Sequence, residues 1–147
     1  MNIYKNILEE KERLKLLKFC KTQVKDLGDN FPGLQSPPNL HKKKELKTLL
    51  SKIKLITHEY KIISCWVNKV TGEDLCWHQH PNVDLSLVYY LKNKSNMGTM
   101  FKKSDTKVTI KECPQNSLLT FDSKLIHSSP LHLPEERYSI AIDVIRK

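Results

Sequence analysis

The stretch Arg137-Tyr138-Ser139-Ile140-Ala141-Ile142-Asp143-Val144-Ile145-Arg146 alternates two chemistries at every second position. Successive side chains of an extended strand point to opposite faces. Arg137, Ser139, Ala141 and Asp143 therefore share one face, and Tyr138, Ile140, Ile142 and Val144 the other. The second face suits a core. On the first, an arginine fork with a hydroxyl two residues on, set inside a β pocket, can grip a carboxylate at two points. On an edge strand the same arginine would be an ordinary surface residue.

Working back from this strand, the chain after Glu59 reads as short runs rich in β-branched and aromatic residues, separated by turn signals every eight to twelve residues. The pattern predicts strands at Tyr60 to Val70, Asp74 to His78, Leu85 to Lys92, Thr99 to Lys102, Lys107 to Ile110, Ser117 to Phe121, Leu125 to Ser128 and Arg137 to Arg146. Breaks fall at Thr71-Gly72, Pro81-Asn82, Asn96-Met97-Gly98, Ser104-Asp105, Pro114-Gln115-Asn116 and from Pro130 to Glu136. Before Glu59 the period changes. Ile7, Leu8, Leu14, Leu17, Val24 and Leu27 predict an amphipathic helix from Tyr4 to about Leu27, ended by Gly28. A proline-bearing loop follows from Asp29 to His41, and then a second helix from about Lys43 to Thr57, with the stripe Leu46, Leu49, Leu50, Ile53 and Ile56. Two helices followed by eight strands predict an α+β, mainly β fold: a jelly roll, or double-stranded β-helix, with two N-terminal helices supporting one sheet.

The 147 residues hold 25 Lys and Arg against 16 Asp and Glu, a formal net charge of +9, and are 39% hydrophobic. This composition predicts one folded domain over residues 1–147, with 1–58 as helical support and 60–147 as the β core, and excludes a multi-domain enzyme. The longest apolar stretch, Leu85 to Leu91, is far short of the ~20 residues of a membrane helix, and Met1-Asn2-Ile3-Tyr4-Lys5 has no apolar signal core. The expectation is a soluble, cytoplasmic protein without membrane contact. Cys20, Cys65, Cys76 and Cys113 form no C-x-x-C pair and read as reduced packing residues. Residues 1–60 carry thirteen basic against seven acidic side chains. This reads as a lysine-rich solvated helix surface. Nucleic acid would be tolerated but is not indicated, because no aromatic-and-basic stripe singles it out. There is no Gly-rich phosphate loop, Ser-His-Asp ordering or zinc-finger spacing to support hydrolase, nucleotidase or finger readings.

The densest chemistry is Trp77-His78-Gln79-His80-Pro81. Positions i and i+2 of an extended segment project to the same side, so His78 and His80 can meet one ion. A third donor, His127 in Leu125-Ile126-His127-Ser128-Ser129-Pro130, sits at a strand end where a closed sheet could bring it opposite the pair. An open site with three nitrogen donors suits Fe(II), Zn(II), Cu(II) or Mn(II).

Three features in this order, H-x-H before a strand ending in Tyr-Tyr-Leu, a distal His, and R-x-S about ten residues later, resemble the Fe(II)/2-oxoglutarate-dependent oxygenases of the prolyl-hydroxylase-like type. Asn68, His78-Gln79-His80-Pro81 and Ser86-Leu87-Val88-Tyr89-Tyr90 resemble more narrowly an oxygenase subgroup with the pattern H-x-H-P, then Ser, then V-Y-Y. The resemblance covers about residues 60–146. It implies a dioxygenase that uses Fe(II), 2-oxoglutarate and dioxygen to hydroxylate a further substrate. It implies that His78 and His127 are iron ligands, and that Arg137 with Ser139 binds the distal carboxylate of 2-oxoglutarate. It also places Tyr90 where a tyrosine often supports that carboxylate, and Asn68 near the cosubstrate. The chain departs from the family at His80, where a carboxylate is usual. His80 is the expected third ligand; Asp84, beyond the Pro-Asn turn, is the alternative and needs special loop geometry.

Two other functions fit parts of the pattern. One is a three-histidine, cupin-like metalloenzyme that works without 2-oxoglutarate, and the other a non-catalytic basic jelly-roll binding module. The prime substrate and the oligomeric state are not written in the sequence.

Overall fold

The structure, a computed structural model, describes residues 1–26, 34–71 and 75–147. A seven-stranded sheet runs in the order β1 (Asn2–Tyr4), β8 (Leu118–Asp122), β5 (Leu85–Lys92), β10 (Arg137–Arg146), β4 (Tyr60–Val70), β3 (Leu34–Gln35), β2 (Lys25–Asp26). A three-stranded sheet runs β7 (Val108–Glu112), β6 (Met97–Lys102), β9 (His127–Ser128). All pairings within the two sheets are antiparallel. Strand β10 lies at the centre of the larger sheet, paired with β4 on one side and β5 on the other. Its alternation takes effect as two faces. Tyr138, Ile140, Ile142 and Val144 join a core with side chains of α1 (Glu10–Lys21) and α2 (Lys47–Ile56). Arg137, Ser139, Ala141 and Asp143 face a cavity on the other side. The helices thus cover the outside of one sheet, as the sequence predicts for a double-stranded β-helix. A second apolar cluster, including Tyr90, Phe101, Leu119 and Phe121, joins the two sheets.

The second helix follows the expected stripe: Leu46, Leu49, Leu50 and Ile53 are buried. It opens with a 3-10 turn at Lys44–Leu46 before the α-helix proper. The first helix differs from expectation. Residues 2–4 pair with β8, Ile3 opposite Leu119, rather than starting a helix. Asn6 takes a left-handed conformation (φ 55°) that turns the chain, and the helix begins only at Glu10, where the Glu12 carboxylate accepts from the Glu9 N–H at 3.0 Å. Short polar Asn tolerates this backbone better than most residues. The buried face of α1 is Arg13, Leu16, Leu17 and Cys20, while Leu14 is exposed. Arg13 is admitted because its Nη1 donates to the Leu91 carbonyl at 2.8 Å and its Nε to Glu10 at 2.9 Å. The helix ends at Lys21, followed by β2 rather than continuing to Leu27.

The strands Tyr60 to Val70, Leu85 to Lys92 and Arg137 to Arg146 match the expected bounds. The expected strand ending at His78 is not found over residues 75–78: this segment pairs with a sheet only at one bridge, His78 with His127. The predicted run Leu125 to Ser128 shortens to His127–Ser128, because Leu125 closes a turn on Asp122. Leu27, Gly28, Asp29, Pro32, Gly33, Gly72 and Asp74, which carry parts of the sequence reading, lie outside the described residues. The four cysteines are free. No helix among the described residues is long and apolar enough to cross a membrane.

Candidate metal and carboxylate site

The cavity on the polar face of β10 has a volume of about 200 Å³ and draws side chains from both sheets and from the segment before His80. At one end stand three histidines. Reciprocal backbone bonds, His78 N–H to His127 O at 3.1 Å and His127 N–H to His78 O at 2.9 Å, clip the His78 segment to β9. His80 N–H donates to the Ser123 carbonyl at 2.8 Å, which fixes the second half of the H-x-H pair. One ring nitrogen from each of His78, His80 and His127 then lies within 4.8 Å of the others. Asp84, the alternative third ligand, is tied elsewhere: its carboxylate accepts from the Arg146 N–H at 2.6 Å.

Hydrogen bonding decides which nitrogens are free. His78 Nδ1 lies 2.7 Å from the Cys76 carbonyl, and His127 Nδ1 lies 2.8 Å from the Leu125 carbonyl. A carbonyl oxygen can only accept, so each Nδ1 carries the proton and each Nε2 keeps its lone pair. His80 Nδ1 is likewise engaged, at 2.8 Å from both oxygens of Asp143. Loss of hydration holds His78 below the usual imidazole value, although its edge is exposed, and takes His127 down to about 4. Neutral imidazoles with bare Nε2 atoms are the form that binds a divalent transition metal, and the donor set fits Fe(II) among others.

The other end of the cavity is formed by Arg137, which is 3% exposed. Its guanidinium lies over the Tyr90 ring, 5.3 Å from the centroid. Nη1 donates to the carbonyls of Met97 (3.0 Å) and Gly98 (2.6 Å), and Nη2 to Ser129 Oγ (3.0 Å). Nε is buried without a partner, and none of the ion pairs among the described residues includes Arg137. The Nε–H and one Nη2–H lie on the same edge of a guanidinium, the edge that binds a carboxylate bidentately. Burial depresses the basicity of Arg137, the expected response of a cation without a counter-charge. The residues present therefore fit a small anionic ligand as well as a metal.

Ser139 lines the cavity beside Arg137, as their shared face requires, and Asn68 lines it from β4, its Oδ1 accepting from Gln35 Nε2 at 2.8 Å. Tyr90 lies a layer lower. Burial pushes its phenol up, and its hydroxyl is 2.5 Å from Thr99 Oγ1. In the structure it supports the guanidinium from below. Trp66, Val88 and Phe121 supply apolar wall.

Some participants were not legible as such. The Met97 and Gly98 carbonyls and Ser129 orient Arg137, but backbone acceptors leave no sequence signal. Asp143, behind His80, did have one: it lies on the same face of β10 as Arg137.

No family model matches the chain, and neither does any curated protein. Solved structures match in fold. A prolyl hydroxylase from Trichoplax adhaerens, in complex with a hypoxia inducible factor peptide fragment, superposes with a TM-score of 0.73 at 16% identity, over 99% of this chain and 83% of that one. HygX from Streptomyces hygroscopicus, with nickel, 2-oxoglutarate and hygromycin B bound, gives 0.76 at 10% identity, over 99% and 82%. A Pseudomonas putida prolyl-4-hydroxylase gives 0.67 at 15% identity, over 99% and 92%. The chain shares the double-stranded β-helix of these oxygenases.

Proposed function

We propose that the protein is an Fe(II)- and 2-oxoglutarate-dependent dioxygenase that hydroxylates a substrate presented at the mouth of the cavity. The observation that carries this reading is a single small cavity with three convergent imidazole nitrogens at one end and, at the other, a buried guanidinium whose Nε has no partner. A three-histidine enzyme without 2-oxoglutarate has no use for the second feature, and a binding module has no use for the first. The fold shared with HygX, whose structure holds nickel and 2-oxoglutarate, agrees with the reading.

In this reading His78, His80 and His127 hold the metal through Nε2, each fixed by the acceptor on its Nδ1. When bound, iron with 2-oxoglutarate would supply the oxidising chemistry, in which dioxygen, the keto acid and the substrate's C–H are converted to succinate, carbon dioxide and the hydroxylated substrate. Arg137 receives the distal carboxylate on its free edge, with the Ser139 hydroxyl beside it. Tyr90 and the two carbonyls keep the guanidinium from turning away. Trp66, Val88 and Phe121 exclude water from the space between. Asn68, held by Gln35, borders the cosubstrate. The volume is below the ~300 Å³ at which pockets for drug-sized ligands begin. The prime substrate accordingly offers only a small group to the site, from a peptide side chain, a nucleobase or a small molecule. The free thiols suit a reducing compartment, the cytoplasm.

Anaerobic titration of the apo-protein with Fe(II) and 2-oxoglutarate tests this without knowledge of the substrate. A visible metal-to-ligand charge-transfer band that is lost in His78→Ala is expected. Its absence at saturating ligand would refute the proposal.

A further inference from the structure

Of the three histidines, two lean on neutral carbonyls and one on a carboxylate. That carboxylate, Asp143, is only 7% exposed and stands at a β-bulge, where the register of β10 against β4 shifts between Asp143 and Val144. Bulges of this kind re-aim a side chain. Both oxygens of Asp143 lie 2.8 Å from His80 Nδ1, and Oδ1 also accepts from Ser86 Oγ at 3.0 Å. Among the described residues no lysine or arginine pairs with it; its side-chain partners are the His80 ring and the Ser86 hydroxyl. A buried carboxylate without a cation is costly. Its placement calls for a positive charge nearby, and a metal ion across the imidazole supplies one.

We infer that Asp143 is the charge-bearing positioning residue of the metal centre: it returns to the site, through His80, the negative charge that a neutral three-histidine set lacks. The inference rests on the metal site proposed above. The Nδ1–H to carboxylate bond makes His80 Nε2 a stronger donor than an imidazole resting on a carbonyl. The site would thus gain one unit of negative charge at one imidazole's remove. Ser86 completes the arrangement by holding the carboxylate in place.

The test is Co(II) titration of the apo-protein, followed by the visible cobalt absorption, with thermal melting of each apo form alongside. Asp143→Asn retains an oxygen able to accept from Nδ1–H and removes the charge, so it tests electrostatics with an orienting acceptor still in place. It is expected to weaken Co(II) binding about 10- to 100-fold, with a shifted absorption spectrum. His80→Asp sets a carboxylate against Asp143 and is expected to bind poorly, and His80→Asp/Asp143→Asn to recover affinity. The same change at Asp143 therefore weakens binding in one background and strengthens it in the other, and weaker Co(II) binding with an unchanged apo melting temperature separates the charge from a merely structural role. If Asp143→Asn alone does not fold, the two His80→Asp proteins still report the coupling. Unchanged Co(II) affinity in Asp143→Asn, with binding lost in His78→Ala, would overturn the role of Asp143 alone. No Co(II) binding by the unsubstituted protein would overturn the metal site and this inference together.

Discussion

Replacing Arg137 by methionine separates an anion-binding role from a scaffolding one. The side chain gives up three hydrogen bonds, to Met97 O, Gly98 O and Ser129 Oγ. Each bond from a charged donor is worth about 1.5–3 kcal/mol. Against this loss, the substitution removes a buried guanidinium with no counter-ion, whose desolvation costs several kcal/mol, and methionine keeps most of the contact with Tyr90. The two effects offset. Unliganded stability should change by no more than about 2 kcal/mol, or roughly 4–8 °C in Tm for a chain this size. Loss of one partner from a buried, hydrogen-bonded charge pair costs about 2–5 kcal/mol. The affinity for 2-oxoglutarate should therefore fall by roughly 30-fold to several thousand-fold. The anaerobic Fe(II) titration measures the second quantity and a melting curve of the apo-protein the first. A variant that melts more than about 15 °C lower yet binds 2-oxoglutarate normally would make Arg137 a strut of the sheets and refute the reasoning.

Gly98→Ala should cost about 1–3 kcal/mol in chemical denaturation, because the added Cβ would overlap the Lys111 carbonyl and lie 2.5 Å from Cys113 Sγ. Shifting this strand also moves the Gly98 carbonyl that orients Arg137, so 2-oxoglutarate should bind more weakly as well. Asn116 ties the N-terminal segment to the sheet, its Oδ1 accepting from Leu8 N–H and the Tyr89 hydroxyl and its Nδ2 donating to Leu8 O, at a φ of 65°. Asn116→Ala should lose about 4 kcal/mol, and Asn116→Gly about 1 kcal/mol less because glycine accepts that backbone; equal losses in urea melts would contradict this. In thiol labelling at pH 8, the half-buried Cys76 at the cavity should react first. Cys20, raised to about 12 by burial, and the equally buried Cys65 and Cys113 should react only on unfolding, with mass spectrometry identifying the site.

Three strands were legible from end to end, β4, β5 and β10, and they are neighbours at the centre of the larger sheet. Long, and buried between partners, they are rich in the β-branched and aromatic residues that mark a strand in sequence. The failures lie at the edges. Residues 2–4 contain too few side chains to show a period and become a strand only because β8 offers free backbone groups. Burial of Arg13 contradicts any apolar stripe, and beside its pairing with Glu10 it depends on a carbonyl at Leu91, 78 residues away in sequence. The H-x-H pair was read on a strand that the described residues do not form, yet the two rings still converge, since the geometry of positions i and i+2 needs only a locally extended chain.

What the chain determines locally is therefore the identity of the faces: which residues of β10 look toward the core and which toward the cavity, and that His78 and His80 can act as a pair. Backbone dihedrals repeat over a few residues, and this information survives in sequence order. Tertiary structure alone decided that His127 meets His78 across a bridge, that Asp143 stands behind His80, and that two carbonyls hold Arg137 above Tyr90. These contacts depend on strand order, on the register of antiparallel pairs and on a bulge at one position. A one-residue slip would turn each side chain to the opposite face without altering the sequence pattern.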